Sequence, residues 1–349
     1  LTQARFPEQV VVISTYDSAQ GDFYMAKWRQ AKPEQFAMIC DEVHNMGAPK
    51  SQCLMELNPA YRIGLSATPR RNFDEIGSEK ILNFYHQNTF EFSIKDAQRE
   101  HYLVEYQYRV LPCAMPEEDW ESYKAYSKEI VQLQHALEQE DDEKDRLRLQ
   151  QRIEGRYRDR AKLLKKNDQK VQTLQTIFDE IPPSARVLIY GDDLNHLNEL
   201  GKELDRMGKY YLKYTGELDA QKERPTILKE FRQGIRKILL AVGCLDEGID
   251  IPACDVAVFI SSSTSERQFI QRRGRVLRIA PGKMTAWIYD YLVYPILPAS
   301  ASDEERRMAL IDAQYRRINL MVDDAINGIR EHQKLDQFLS QRKLNPYDF

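Results

Sequence analysis

The sequence contains no apolar run of membrane-spanning length, no Cys-x-x-Cys pair among its five cysteines, and no grouping among its six histidines that would suit a metal. The first absence argues against a transmembrane segment and a membrane partner. The second and third argue against a structural zinc or a disulfide framework and fit scattered reduced thiols, hence a cytoplasmic location. No signal peptide is visible. The chain opens on Leu1 rather than Met, which leads us to expect further sequence upstream. Charge of one sign is also lacking: 50 basic against 54 acidic residues leave a net −4. Any contact with nucleic acid therefore has to be a local groove rather than a global basic field. With 349 residues, 42% of them hydrophobic, there is enough chain for two domains and a helical appendage.

The chain is organised around Phe36-Ala37-Met38-Ile39-Cys40-Asp41-Glu42-Val43-His44. A short apolar run ending in two adjacent carboxylates is how a buried parallel strand delivers acids to the rim of a sheet. In open α/β domains, ligands bind at that rim. One acid there can hold Mg²⁺ through its water shell, and the other can orient and deprotonate an attacking water. An acidic turn capping the next helix explains the same residues. Further along, Ser66-Ala67-Thr68-Pro69 follows the apolar Ile63-Gly64-Leu65, and Gln271-Arg272-Arg273-Gly274-Arg275-Val276-Leu277-Arg278 lies in the far half.

Asp-Glu-x-His, then Ser-Ala-Thr, then Gln-x-x-Gly-Arg-x-x-Arg, in this order, resembles motifs II, III and VI of the superfamily-2 helicases and translocases. Asn72-Phe73-Asp74-Glu75 and Tyr102-Leu103-Val104-Glu105-Tyr106 resemble the branch that holds XPB-like repair translocases and the helicase subunits of restriction and phage-defence systems. The resemblance runs over essentially the whole chain. It implies ATP and Mg²⁺ as cofactors and DNA as partner, with a nuclease or another defence or repair subunit alongside. It makes Asp41 the indirect Mg²⁺ ligand and Glu42 the water-activating base. His44, Ser66, Thr68 and Gln271 would couple the bound nucleotide to the DNA groove, His44 and Gln271 from the nucleotide side. Arg275 and Arg278, i and i+3 on one helix face, would be the fingers reaching the γ-phosphate. Arg272 and Arg273 are then left as surface or DNA-side charges.

Gly243-Cys244-Leu245-Asp246-Glu247-Gly248-Ile249-Asp250 resembles motif V. Gly248 lets the backbone approach a ligand, and Asp250 is placed to accept from a ribose hydroxyl. Many relatives have Ser or Thr where this chain has Val242, so a side-chain contact to the DNA backbone is in doubt there. Thr15, in Ser14-Thr15-Tyr16-Asp17-Ser18, and the pair Thr215-Gly216 match positions that meet nucleic-acid phosphates. An N-cap role for Thr15 and a plain strand-to-loop turn at Thr215-Gly216 are the alternatives.

Strands alternating with helices predict an α/β fold: two RecA-like parallel-sheet lobes, the first incomplete, joined by a helical hairpin and followed by a C-terminal helix. We expect the end of the first lobe over 1–112, the hairpin over 113–170, the second lobe over 171–299 and a helical extension over 300–349. Val10-Val11-Val12-Ile13 should be a buried strand. Trp120, Tyr123, Tyr126, Ile130, Leu133 and Leu137 mark one hairpin helix, and Leu149, Ile153, Tyr157, Ala161 and Leu164 its return. The hairpin is either a plain connector or a lever touching duplex DNA through Arg156, Arg158, Arg160, Lys162, Lys165 and Lys166. Met308, Ile311, Tyr315, Ile318, Val322 and Ile326 mark the last long helix, which packs back on a lobe or docks a partner.

One family part is missing. A phosphate cradle Gly-x-x-x-x-Gly-Lys-Ser/Thr does not occur, and the Gly-Lys pairs at 201–202, 208–209 and 282–283 lack its spacing. In the family it precedes motif II, so we expect it upstream of Leu1 and expect this segment alone not to hydrolyse ATP. The expected activity of the whole is nucleic-acid-stimulated ATP hydrolysis coupled to movement on DNA. The alternatives are a catalytically silent module that binds nucleic acid or protein, and an RNA helicase.

Overall fold

The computed structural model describes residues 10–32, 34, 36–70, 74–86, 88–219, 221–242, 254–261, 266–296 and 301–344. The chain forms two compact units, Leu1–Phe92 and Ser93–Phe349.

In the first unit two short helices, α1 (Tyr16–Ala19) and α2 (Asp22–Trp28), precede strand β1 (Ala37–Cys40). Tight 3-10 turns at Val43–Gly47 and Ser51–Leu57 lead to strand β2 (Tyr61–Gly64), and helix α3 (Glu75–Phe84) follows. The strands pair in parallel, Ala37 opposite Tyr61 and Cys40 opposite Gly64. Met25, Cys40, Val43, Met46, Leu54, Ile81 and Phe84 pack as the core on one face of this pair. Asp74 starts α3 by accepting the Gly77 N–H at 2.8 Å. The run Val10–Ile13 is not a strand; it is exposed, Ile13 by 93%. A β-branched run becomes a strand only with a hydrogen-bonding neighbour, and among the described residues β1 and β2 pair only with each other.

In the second unit the elements run α4 (Ile94–Arg99), β3 (Glu105–Met115), α5 (Glu117–Gln139), α6 (Glu143–Lys165), α7 (Asp168–Gln172), α8 (Leu174–Glu180) and β4 (Val187–Tyr190). Then come α9 (Leu194–Arg206), β5 (Tyr211–Tyr214), α10 (Glu223–Arg232), β6 (Ile238–Ala241) and β7 (Val256–Val258). The unit closes with α11 (Glu266–Val276), β8 (Thr285–Pro295), α12 (Ala301–Val322) and α13 (Gly328–Gln341). The six strands form one parallel sheet in the order β3-β8-β7-β4-β6-β5. Central strands β4 and β6 are buried at every residue, as expected of a parallel sheet covered on both faces.

The boundary expected at 112 differs from this arrangement. Residues 105–112 lie in β3, which pairs with β8 along its whole length. Its alternating burial fits a strand, and Pro112 is tolerated because β3 is at the sheet edge. That open edge is sealed by side chains. Asn327 donates to the Tyr108 carbonyl at 2.8 Å and accepts the Tyr108 N–H at 2.9 Å. Glu331 accepts the Val110 N–H at 3.0 Å, and Gln169 and Asn167 satisfy Ala114 on both sides. An edge strand so closed cannot recruit another strand. The C-terminal helices are therefore part of the second unit, and Gln314 likewise bonds both backbone groups of Val293 in β8. The hairpin helices α5 and α6 also root there: Trp120 and Tyr123 pack with Met115, Val293 and Leu310.

Candidate functional site

The rim of the first sheet is assembled by backbone bonds. The Leu65 N–H donates to the Cys40 carbonyl at 2.8 Å, and the Val43 N–H donates to the Leu65 carbonyl at 2.9 Å. The ends of β1 and β2 are thereby held side by side. Asp41 and Glu42 follow β1 directly. Asp41 is exposed; its Oδ1 accepts the Glu42 N–H at 2.9 Å and its carbonyl accepts the Tyr16 hydroxyl at 2.9 Å. Glu42 has φ 47° and ψ 50°, the left-handed region. For a residue with a Cβ that backbone costs on the order of 1–3 kcal/mol, and such residues cluster at functional sites. Beneath them, burial pushes the Cys40 thiol and the Tyr16 phenol upward, so both stay protonated. Cys40 is packing, not a nucleophile.

His44 is buried, with Nδ1 3.2 Å from Ser66 Oγ and 3.4 Å from Glu42 Oε2. Ser66 Oγ also accepts the Thr68 N–H at 3.2 Å. Glu42, His44, Ser66 and Thr68 thus form one polar chain across the strand ends. The ring nitrogen hydrogen-bonds Ser66 Oγ and lies within ion-pair range of the Glu42 carboxylate. Thr15 caps α1: its Oγ1 accepts the Ser18 N–H at 3.2 Å and donates to Ser18 Oγ at 3.1 Å. The local role weighed for it is the one the geometry displays.

In the second unit Gln271 and Arg275 sit one turn apart on α11, both half-buried. Arg278 does not share that helix. The helix ends at Val276, and Arg278 is exposed in an antiparallel bridge with Leu103. The reading of Arg275 and Arg278 as i and i+3 on one helix face is corrected accordingly. Lys283 ends the helix early: its buried ammonium donates to the Val276 carbonyl and, at 3.2 Å, to that of Arg278. The Val104 N–H holds the Leu277 carbonyl at 2.8 Å. Arg272 and Arg273 are not surface charges; each is 5% exposed. The Arg272 guanidinium lies 4.7 Å from the centre of the Tyr190 ring, and Arg273 bonds to β3 and α12. Thr215 is buried at the end of β5, and Gly216 is exposed with its carbonyl accepting from Arg224 at 2.7 Å. Gly248 and Asp250 lie outside the described residues.

The hairpin cations have internal partners. Arg156 pairs with Glu129 and Asp159, Lys162 with Asp159, Lys165 with Asp192 and Lys166 with Asp193. Arg160 lies over the Tyr123 and Tyr157 rings, and Arg158 donates to the Glu154 carbonyl. This favours the connector over the DNA lever. Sequence reasoning missed Tyr16, Arg273 and Lys283 as supports. Only Tyr16 carried a signal, lying inside the Thr-Tyr loop already singled out.

Two family models match: "Type III restriction enzyme, res subunit" over residues 3–71 and "Helicase conserved C-terminal domain" over residues 169–280. The chain is 23% identical over 282 residues to the DNA 3'-5' translocase XPB2 of Sulfurisphaera tokodaii, covering 77% of this chain and 60% of that protein. It is 46% identical over 118 residues to Dicer-like protein 2 of Cryphonectria parasitica, covering 34% of this chain and 7% of that protein. The chain therefore spans less than two thirds of these relatives' length. The Pyrococcus furiosus Hef helicase domain superposes with a TM-score of 0.44 at 16% identity, over 79% of this chain and 75% of that one. No helix among the described residues is long and apolar enough to cross a membrane. With a restriction-type segment ahead of a helicase C-terminal segment, the chain belongs to the superfamily-2 helicases, in their XPB-like and restriction-type branch.

Proposed function

We propose that the protein is an ATP-driven motor that moves on DNA. The observation that carries this reading is the chain Glu42–His44–Ser66–Thr68, which joins a carboxylate at one strand end to the loop after its neighbour. A merely acidic turn needs no such connection. Glu42 takes the proton of the water that attacks the terminal phosphate, and the imidazole and hydroxyl carry the change in its charge toward Thr68. Asp41 suits Mg²⁺, which keeps several waters and is held by one or two carboxylates plus substrate phosphates; one exposed carboxylate answers that need. The ion supplies charge neutralisation on the phosphates. Arg275 and Arg278 stabilise charge developing in the transition state, and Gln271 answers to nucleotide occupancy.

Helicase families use ATP with a divalent metal, and a DNA translocase among the relatives favours DNA over RNA. A match to a restriction-enzyme subunit favours a nuclease or similar subunit as companion. Steady-state ATP hydrolysis by the complete gene product tests the polymer: duplex DNA, single-stranded DNA and RNA are compared at equal nucleotide concentration. DNA is the expected stimulator. Stimulation by RNA alone makes the protein an RNA helicase, and binding without turnover makes it a silent module.

A further inference from the structure

The arginine helix α11 is anchored through Arg273. Its Nη1 donates to the Leu320 carbonyl at 2.7 Å, to Asp324 Oδ2 at 3.0 Å and to the Tyr106 hydroxyl at 3.2 Å. Leu320 lies near the end of α12, Asp324 in the turn before α13, and Tyr106 in β3. One buried nitrogen thus ties three elements. The same junction is closed by the Tyr106 hydroxyl donating to the Met321 carbonyl and by the Ile326 N–H donating to the Tyr106 carbonyl at 2.9 Å.

Stability alone does not explain an arginine here. A buried ion pair is often neutral or worse beside well-packed apolar residues of similar volume. What the charged group adds is direction: three acceptors converging on one nitrogen fix the height of α11 against α12. Arg275 is two residues further along that helix, and Arg278 is held just beyond its end by Lys283 and Leu103. We propose that Arg273 is a positioning residue through which the C-terminal helices set the pose of Arg275. The inference rests on the ATPase reading above.

Asp324→Asn is the first variant, because Asp324 is partly exposed and its loss leaves Arg273 two acceptors. Arg273→Lys, which keeps the charge but not the reach of the guanidinium, is the second. Both are made in the complete gene product, alone and combined with Arg275→Ala. With DNA present, Asp324→Asn should lower kcat about 10-fold, since small misplacements of a catalytic group cost up to roughly 10²-fold, with KM for ATP nearly unchanged; Tm should also fall, because the buried Arg273 loses its counter-charge. Arg273→Lys should fall between wild type and Asp324→Asn. In the Arg275→Ala background, Asp324→Asn should cost nothing further, because two changes acting through one group do not add. Full kcat in Asp324→Asn, or losses that multiply with Arg275→Ala, overturns the inference while leaving the motor intact. Wild type without ATP turnover on any nucleic acid overturns the motor reading and this inference with it.

Discussion

The Nδ1 atom of His44 lies 3.2 Å from Ser66 Oγ, so the loops after β1 and β2 share a hydrogen bond across the sheet rim. Ser66→Ala removes it and also strips the Thr68 N–H of its acceptor. We expect ATP hydrolysis without DNA to persist while the stimulation by DNA falls several-fold. Losing these two bonds should cost the first unit about 1–2 kcal/mol. ATPase ratios with and without DNA, beside thermal denaturation, check both.

Glu42 occupies a backbone region that favours glycine. Glu42→Gly should therefore stabilise the protein by about 0.5–1 kcal/mol while abolishing turnover. Urea denaturation checks the gain. A loss of stability instead would show that the side chain contributes more than its backbone costs.

Asn327 satisfies both backbone groups of Tyr108 on the open edge of β3. Asn327→Ala should destabilise the second unit by about 2 kcal/mol, since two partly buried backbone groups lose their partners. Hydrogen exchange should speed up at Tyr108 and leave β4 and β6 protected.

His196 is buried, with Nδ1 accepting the Asp192 N–H at 3.3 Å and lying 3.0 Å from Ser261 Oγ. Burial and then the nearby Lys170 charge pull its pKa from 6.5 down to about 4. Between those values the unfolded chain binds a proton that the folded chain does not. Stability from this group is thus present above pH 6.5 and drains away as pH falls toward 4, by on the order of 3 kcal/mol. His196→Gln should flatten that part of the wild-type pH profile of denaturation.

The elements with strong periodicity were legible in the sequence. The paired helices α5 and α6 lie close to where their periodic residues put them, because burial of one face leaves a local record. The strand β3 was not legible as part of the second sheet, because its partner β8 lies some 180 residues away and the seal on its edge comes from Asn327, Glu331 and Asn167. Local pattern holds no trace of such pairing. Val10–Ile13 failed for the converse reason, a strand-like composition without a neighbouring strand.

At the candidate site, the acids and hydroxyls were legible from order and spacing, and β1 and β2 bring Glu42, His44, Ser66 and Thr68 together. The arginine run was harder. Four arginines within seven residues look alike in sequence, yet two are buried supports, and Lys283 ends the helix before Arg278. Those fates depend on what α11 packs against rather than on its own residues.

The central claim is the proposed DNA-driven ATPase activity with Glu42 as its base. Steady-state ATP hydrolysis by the complete gene product, with and without duplex DNA and beside Glu42→Gln, tests it most directly. The account predicts strong stimulation by DNA in the wild type and a loss of roughly 10²–10⁴-fold in kcat in the variant, with ATP and DNA still bound. Turnover in Glu42→Gln equal to wild type, or no turnover in the wild type with any nucleic acid, would contradict it.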